Sequence, residues 1–170
     1  MFIEKLTEKD KNELANLVIN TYYDNDARRK NIESVKRFAL KLVSIKTDYK
    51  NRGIVIAWPT SFACSLKMCP EIHIADFDVW RLDGMIYEDD HNKIENAIYN
   101  YFNNKFDNYS KCYYNYHKSR IENEHKENML NYNYTDEAKT FCEKNYQKQM
   151  KELNKKVLSF NKNEDEELTK

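Results

Sequence analysis

The stretch IVIAWPTSFACSLKMCPEIHIADFDVWRLDGMIY, residues 54–87, indicates the fold class of the chain. It is rich in β-branched and aromatic residues and holds both tryptophans and both prolines of the sequence. The apolar run at residues 54–58 is typical of a buried strand, and the alternation over residues 71–82 predicts a longer one. Asp83-Gly84 is a strong hairpin signal, so residues 85–87 are expected to return as a further strand.

Helical patterns flank this stretch on both sides. On the N-terminal side, Thr7 and Asp10 have the spacing of an acidic capping box, and apolar residues then recur at helical spacing. A second apolar face over residues 32–43 predicts an antiparallel partner helix, which Gly53 ends. Residues 2–6 also have the pattern of a short strand, which would join the sheet.

The C-terminal half of the chain is predicted to be helical. Asp89 or Asp90 is expected to cap a helix whose apolar face includes Ile98 and Phe102. A polar and poorly amphipathic helix follows, and Thr135 opens the last helix, with acidic residues in its first turn.

These patterns together predict a single α+β domain over residues 1–160. A small antiparallel sheet at about residues 54–87, with or without residues 2–6, is flanked by an N-terminal helical pair and a C-terminal helical half. Residues 161–170 are polar and acidic, which predicts a frayed tail. The apolar stripe of the last helix, residues 135–158, would also serve a helix–helix homodimer.

Charge and hydropathy exclude some classes of function. The 28 basic and 28 acidic side chains balance, so no field of the whole chain attracts nucleic acid or an anionic membrane. Binding of nucleic acid would therefore have to use a local patch of basic side chains. No apolar run approaches the roughly 18 residues of a membrane span, and the N-terminus lacks the pattern of a signal peptide. We therefore expect an intracellular, cytoplasmic protein without membrane association.

The composition also indicates the type of genome. Asn, Lys, Ile and Tyr are abundant, whereas the sequence has only 2 glycines and 2 prolines. A genome of high A+T content explains this bias, and such genomes occur in low-GC bacteria, their phages and large DNA viruses. If the gene belongs to a phage or another mobile element, its product acts in the cytoplasm of the host cell.

Asp76 and Asp78 are the first candidate site. Alternation on the predicted strand places both carboxylates on one face, about 6–7 Å apart along the backbone. Such a pair is a usual way to hold a divalent cation for phosphoryl or nucleotidyl transfer, and Glu88 is a candidate third ligand. The alternative is a solvated strand face, with Phe77 and Val79 turned inwards.

The order of strand, short segment and strand, with Asp76-Phe77-Asp78-Val79 on the second strand, resembles the start of nucleotidyltransferase-fold enzymes. In that family an apolar strand ends in a Gly-Ser turn, and the next strand carries Asp-x-Asp. Here Pro59-Thr60-Ser61 stands in place of the glycine turn. The resemblance covers a short part of the chain, and it implies a magnesium-dependent transferase with Asp76 and Asp78 as metal ligands.

The phrase FIEKLTEKDKNELANLV at residues 2–18, with the predicted order of elements after it, looks like the opening of the GNAT acyltransferases. That family binds the coenzyme A pyrophosphate through an Arg/Gln-x-x-Gly-x-Gly/Ala loop. Residues 80–85 stand at the corresponding place and depart from this pattern, and acidic residues follow at the helix start. The resemblance implies a degenerate acyltransferase-like module.

The density of tyrosine is the most unusual feature of the sequence. Of 13 tyrosines, eight lie between residues 99 and 134, with basic side chains among them. Tyrosine buries a large area with few rotatable bonds, which favours protein interfaces, and it also stacks on single-stranded nucleic acid. Alternatively, some of these tyrosines pack in the core. The predicted partner-binding residues are Tyr109, Tyr113, Tyr116, Lys118 and Arg120.

We therefore expect a non-catalytic interaction protein that presents this helical half to a partner protein. Such a target would be a host macromolecular complex, for instance a defence nuclease, which the protein would bind and inhibit. No cofactor is expected in that case. The alternatives are the enzyme that uses Asp76 and Asp78, with Mg²⁺ as its cofactor, and the degenerate GNAT-like module.

Overall fold

The computed structural model describes residues 1–24, 44–47, 53–58, 71–81, 88–131 and 135–167. It confirms an α+β fold, in which a small four-stranded antiparallel sheet is accompanied by helices on both sides in sequence. The chain divides into two compact units, a first unit of residues 1–106 and a second unit of residues 107–170. The expectation of a single domain over residues 1–160 stays a prediction.

The first unit begins with a short 3₁₀ helix, Ile3–Lys5, and not with the strand expected over residues 2–6. The Lys5 N–H donates to the Phe2 carbonyl O at 3.0 Å, so local bonds satisfy this backbone without a neighbouring strand. The Phe2 ring packs edge-on against Phe77, with ring centroids 6.1 Å apart.

Helix α1, Glu8–Tyr23, begins with the capping box that the sequence predicted. The Asp10 N–H donates to the Thr7 hydroxyl at 3.2 Å, and the Thr7 N–H donates to the Asp10 carboxylate at 2.8 Å. These two bonds satisfy backbone N–H groups that have no partner within the helix, so they define where α1 starts.

The sheet consists of β1, Ser44–Thr47, β2, Ile54–Ala57, β3, Glu71–Ile74, and β4, Val79–Arg81, in the order β1-β2-β3-β4. All neighbouring strands are antiparallel. Between β2 and β3 the register pairs isoleucine with isoleucine, and all four of these side chains are buried on the same face. They are Ile54 opposite Ile74 and Ile56 opposite Ile72.

The strand predicted over residues 71–82 is wrong, because the chain turns back on itself at Asp76 and Phe77. The Ala75 N–H donates to the Asp78 carbonyl O at 2.8 Å, which closes the hairpin between β3 and β4. The two aspartates therefore lie in the connection between two short strands, and not side by side on the face of one long strand.

Strand β1 also lies where the second helix was expected to run on to Gly53, so that helix boundary is wrong. The predicted helical face over residues 32–43 lies outside the described residues. The same is true of the predicted hairpin at Asp83-Gly84 and of the return strand over residues 85–87.

Gly53 has a different role from the predicted helix cap. It immediately precedes β2, and a Cβ atom placed on it would lie 2.0 Å from the carbonyl O of Ile74. No side chain fits at this distance from a backbone atom, so glycine is required where β2 begins beside β3.

Helix α2, Glu88–Lys105, packs against α1 and buries the apolar face that the sequence predicted. Ile94, Ile98 and Phe102 on this face are at most 2% exposed. The helix starts at Glu88, so Asp89 and Asp90 lie in its first turn and do not cap it. The sequence placed this boundary too late because all three acidic residues are suitable near a helix start.

A polar network joins the start of α1 to the end of α2. Lys105 Nζ lies 2.6 Å from Asp10 Oδ1, and the Tyr101 hydroxyl donates to the Asp10 carbonyl O at 3.2 Å. The hydrogen bonds from Lys105 and Thr7 lower the pKa of Asp10 to about 2, despite partial burial. Burial, and then the negative charge of Asp10 and Glu13, raises the pKa of Tyr101 to about 12.

The second unit is a helical pair, α3, Tyr109–Asn131, and α4, Asp136–Glu167. The Ala138 N–H donates to the Thr135 hydroxyl at 3.4 Å, in agreement with the predicted start of the last helix. Helix α4 continues to Glu167, well into residues 161–170, where a frayed tail was expected. None of the helices in the described parts of the chain is long and apolar enough to cross a membrane.

Candidate functional site

The carboxylate of Asp76 is engaged within the first unit. Asp76 is 7% exposed, and its Oδ1 accepts a hydrogen bond from the Ile3 N–H at 2.8 Å. This bond joins the N-terminal 3₁₀ helix to the β3–β4 connection, across 73 positions of sequence. A buried carboxylate that accepts a backbone N–H has a structural role that needs no metal ion.

The other two predicted metal ligands lie just before β4 and at the start of α2. Asp78 closes the β3–β4 hairpin through its backbone carbonyl, and Glu88 begins α2 after a stretch that the structure does not describe. Among the residues that are described, no group of three or more His, Cys, Asp or Glu side chains is placed to hold a metal ion. The magnesium site of Asp76, Asp78 and Glu88 stays a prediction.

The predicted tyrosine surface lies on α3 and divides into an inner and an outer part. Tyr109 and Tyr113 are only 2% and 3% exposed, and their ring centroids are 6.3 Å apart. Tyr113 also contacts the His117 ring at 4.3 Å. Tyr109, Tyr113, His117 and Ile121 recur every four residues, so they form one buried stripe along the helix. Side chains with so little exposed surface contribute little area to an interface.

The remaining predicted residues are on the outer part of α3. Tyr116 is 42% exposed, and its ring is edge-on to His117 at 5.2 Å. Lys118 lies 3.8 Å from Glu122, a weak exposed ion pair, and Arg120 is exposed. The clusters of aromatic side chains expected from the sequence are confirmed, but only Tyr116 of the three tyrosines offers a surface.

Tyr116 and Arg120 line a shallow depression of about 640 Å³ along α3. The other residues of its wall are polar or acidic: Asn115, Ser119, Asn123, Glu124 and Glu127. Tyrosine and arginine are the residue types that are enriched at the energetic centres of protein interfaces. The mixed charge of the wall is better suited to a protein surface than to a phosphate backbone.

A second depression, a groove of about 400 Å³, lies between α3 and α4. Its wall includes Phe141, Cys142 and Tyr146 of α4 and His125 of α3. The His125 ring stacks on Tyr146 with centroids 4.5 Å apart and an interplanar angle of 22°, and His125 Nε2 lies 3.4 Å from Glu143 Oε2. The groove therefore has a rigid aromatic side, suited to an apolar or aromatic side chain of a partner.

Phe141 belongs to the apolar stripe that the sequence predicts for the last helix, and it is 71% exposed. Leu153, in the same stripe, is 6% exposed. The two residues are 12 positions apart in sequence, which places them about 120° apart around the helix, so Phe141 lies outside the side of α4 that buries Leu153.

Of the exposed large apolar side chains in the described parts of the chain, most lie in the second unit. Among the described residues, five such side chains belong to it and two, Met1 and Trp80, belong to the first unit. The five are Tyr116, Met129, Leu130, Phe141 and Leu158. Single exposed apolar residues are ordinary on a protein surface, so these five side chains are candidates for an interaction surface.

Comparison with known proteins adds no assignment, because no family model, no curated protein and no solved structure matches the chain. The resemblances to nucleotidyltransferases and to GNAT acyltransferases therefore stay predictions. Function has to be argued from the geometry of the chain itself.

Proposed function

We propose that the chain is a non-catalytic interaction protein whose second unit binds a partner protein. The observation that carries this proposal is the set of exposed apolar side chains on the helical pair, above all Phe141, which is 71% exposed beside the groove between α3 and α4. Covering these side chains with a partner removes apolar surface from water, which is the main favourable contribution to most protein association.

The two depressions give this surface specificity. Tyr116 and Arg120 line one depression, and Phe141 and Tyr146 line the other. Aromatic and arginine side chains around small depressions match the usual composition of interface centres, with polar residues at the rim. The proposal requires no cofactor.

The composition of the chain supports a narrower version of the proposal. An A+T-rich genome, few motifs and a small size are common among proteins of phages and other mobile elements. We accordingly propose the cytoplasm of a host cell as the site of action, and a host macromolecular complex, such as a defence nuclease, as the bound and inhibited target.

Photo-crosslinking tests the proposal directly. A photo-reactive amino acid replaces Phe141 in the full chain, and lysate from cells that carry the gene, or from their host, is irradiated with it. We expect one protein adduct of defined mass, which an excess of wild-type chain competes away. The matched control is the same photo-reactive residue at Lys9, whose side chain is 85% exposed on α1 of the first unit.

The outcomes separate the alternatives. Adducts at neither position, or adducts only at position 9, contradict a partner surface on the second unit. An adduct of twice the chain mass from purified protein alone assigns the surface to a homodimer, as the stripe over residues 135–158 predicts. An adduct that nuclease digestion removes assigns it to nucleic acid.

A further inference from the structure

Four lysines form a row on the exposed side of α4. Lys144, Lys148, Lys151 and Lys155 follow one another at intervals of four, three and four residues, and all four are exposed. With 3.6 residues per turn, these intervals keep the ammonium groups on one face of the helix, over about 16 Å along its axis. We call these four residues the lysine row.

Among the described side chains, Lys144, Lys151 and Lys155 have no acidic side chain within ion-pair distance, unlike several lysines elsewhere in the chain. On α1, Lys9 lies 3.8 Å from Glu13 and Lys11 lies 2.6 Å from Glu8, and on α3 Lys118 lies 3.8 Å from Glu122.

Within the row, only Lys148 has such a partner among the described residues, Glu152 at 3.9 Å. Like charges three and four residues apart repel each other along a helix, so the isolated row destabilises α4 slightly. An anionic partner would relieve that repulsion.

Two exposed apolar side chains bracket the row on the same face of α4. Phe141 lies one turn before Lys144 and is 71% exposed, and Leu158 lies one turn after Lys155 and is 62% exposed. They are separated by about 25 Å along the helix axis. The face therefore presents an apolar contact at each end, with four lysines and one glutamate, Glu152, between them.

We propose that the lysine row binds an acidic segment of the partner protein, a segment that also supplies an apolar side chain at each end to contact Phe141 and Leu158. This inference rests on the proposed function and specifies the chemistry of the partner. The segment spans at least about 25 Å, which corresponds to about 17 residues of helix. Carboxylates spaced along it match the row in charge, and this complementarity sets orientation and speeds association.

A second copy of the chain does not fit this face. Parallel pairing in register, or antiparallel pairing centred on the row, would place lysines opposite lysines. Nucleic acid fits less well than an acidic protein segment, because Leu158 has nothing to contact on a phosphate backbone. The neighbouring helix α3 also exposes Glu124 and Glu127, which repel phosphates.

The inference is tested with three labelled probes and the full chain, by fluorescence anisotropy. The first probe is a synthetic helical peptide with four glutamates at the intervals of the row and a leucine beyond each end. The second is the same peptide with glutamine in place of glutamate, and the third is single-stranded oligothymidylate. We expect the glutamate peptide to bind most tightly, and its affinity to fall with added salt.

Charge reversal of the row tests which residues are responsible. The double variant Lys148→Glu/Lys151→Glu should weaken binding of the glutamate peptide at least about tenfold. The matched control, Lys126→Glu, reverses an exposed lysine of α3 in the same unit and should leave the affinity unchanged. Circular dichroism checks whether both variants keep their helical content. The variant Lys148→Gln/Lys151→Gln repeats the test with a smaller change of charge.

Several outcomes would overturn the inference. These are equal binding of the glutamate and glutamine peptides, no binding of the glutamate peptide, and affinity that survives charge reversal. Tighter, row-dependent binding of oligothymidylate would assign the row to nucleic acid.

The proposed function is tested separately. If the adduct at position 141 persists when the lysines are reversed, the second unit binds a partner and only its acidic character is wrong. If no adduct forms at position 141 when the four lysines are unchanged, the proposed function itself fails, even if the glutamate peptide binds.

Discussion

The first unit, residues 1–106, and the second unit, residues 107–170, use their large apolar side chains differently. Among the described residues, the first unit contains 16 of the 20 buried hydrophobic side chains, and the second contains four: Tyr109, Tyr113, Ile121 and Leu153. The distribution of exposed large apolar side chains is the reverse. Within the described residues, the first unit therefore buries most of its large apolar side chains, whereas the second leaves five of them exposed.

The polar groups differ in the same way. In the first unit, carboxylates are engaged by its own backbone and side chains: Asp76 accepts from the Ile3 N–H, and Asp10 contacts Lys105. In the second unit, the one acidic side chain described within ion-pair distance of the lysine row is Glu152. Side chains that make no contacts within the fold are the ones available to a partner, so the two units should respond differently to substitution.

The largest effect is expected at Gly53. In Gly53→Ala the new Cβ would lie 2.0 Å from the Ile74 carbonyl O, so β2 and β3 would have to separate. We expect a loss of about 4 kcal/mol in the free energy of unfolding, at the upper end for single substitutions. Urea unfolding measures it, with Ser119→Ala, an exposed site on α3, as the control. A loss below about 1 kcal/mol would mean that the close approach is not required.

The second prediction compares one apolar residue from each unit. Ile98→Ala removes a side chain that is 2% exposed and should cost about 3 kcal/mol, because it leaves a cavity at the buried face of α2. Phe141→Ala removes a side chain that is 71% exposed and should change stability by less than about 0.5 kcal/mol. Urea unfolding of both variants checks this. If Phe141→Ala costs as much as Ile98→Ala, Phe141 belongs to a core, and the contrast between the units is lost.

The third prediction concerns Asp76. Asp76→Ala leaves the Ile3 N–H without its acceptor and should cost about 2 kcal/mol. Asp76→Asn should cost less, because the amide oxygen still accepts. Thermal unfolding with and without Mg²⁺ tests the alternative role. If Mg²⁺ raises the Tm of the wild type but not that of Asp76→Asn, the Asp76 carboxylate binds metal. The hypothesis of a metal-dependent enzyme would then replace the structural role of Asp76.

The smallest effect is a dependence on pH. The pKa of Asp10 is about 2 in the folded chain and 3.8 ordinarily, so the unfolded chain binds more protons between these values. The stability that Asp10 contributes is present above pH 4 and is lost as the pH falls towards 2.

Lys105→Met removes the largest cause of the lowered pKa and should make this loss shallower. Urea unfolding from pH 2 to 6 measures both chains, with Lys9→Met, an exposed lysine of α1, as the control. Equal slopes for the wild type and Lys105→Met would show that Lys105 does not hold the pKa of Asp10 down.

Part of the candidate site was predictable from the sequence, because some of its signals are local. The tyrosine density of residues 99–134 identified the helix that carries Tyr116 and Arg120. The four-residue spacing of Tyr109, Tyr113 and His117 is also a local signal, because it places the three side chains on one face of the helix. The exposure of Phe141 also depends on which side of α4 packs against α3, and the apolar stripe alone does not decide this.

The sequence by itself determined the α+β class, the capping box at Thr7 and Asp10, and the apolar face of α2. These features depend on residues within a few positions of one another, so periodicity and capping chemistry are sufficient to find them. Only the tertiary structure decided which tyrosines are buried, why residue 53 is glycine, and what Asp76 binds. Each of these depends on an atom from a distant part of the chain or on the extent of helix packing. A sequence pattern does not specify the distance between atoms that are far apart in the chain.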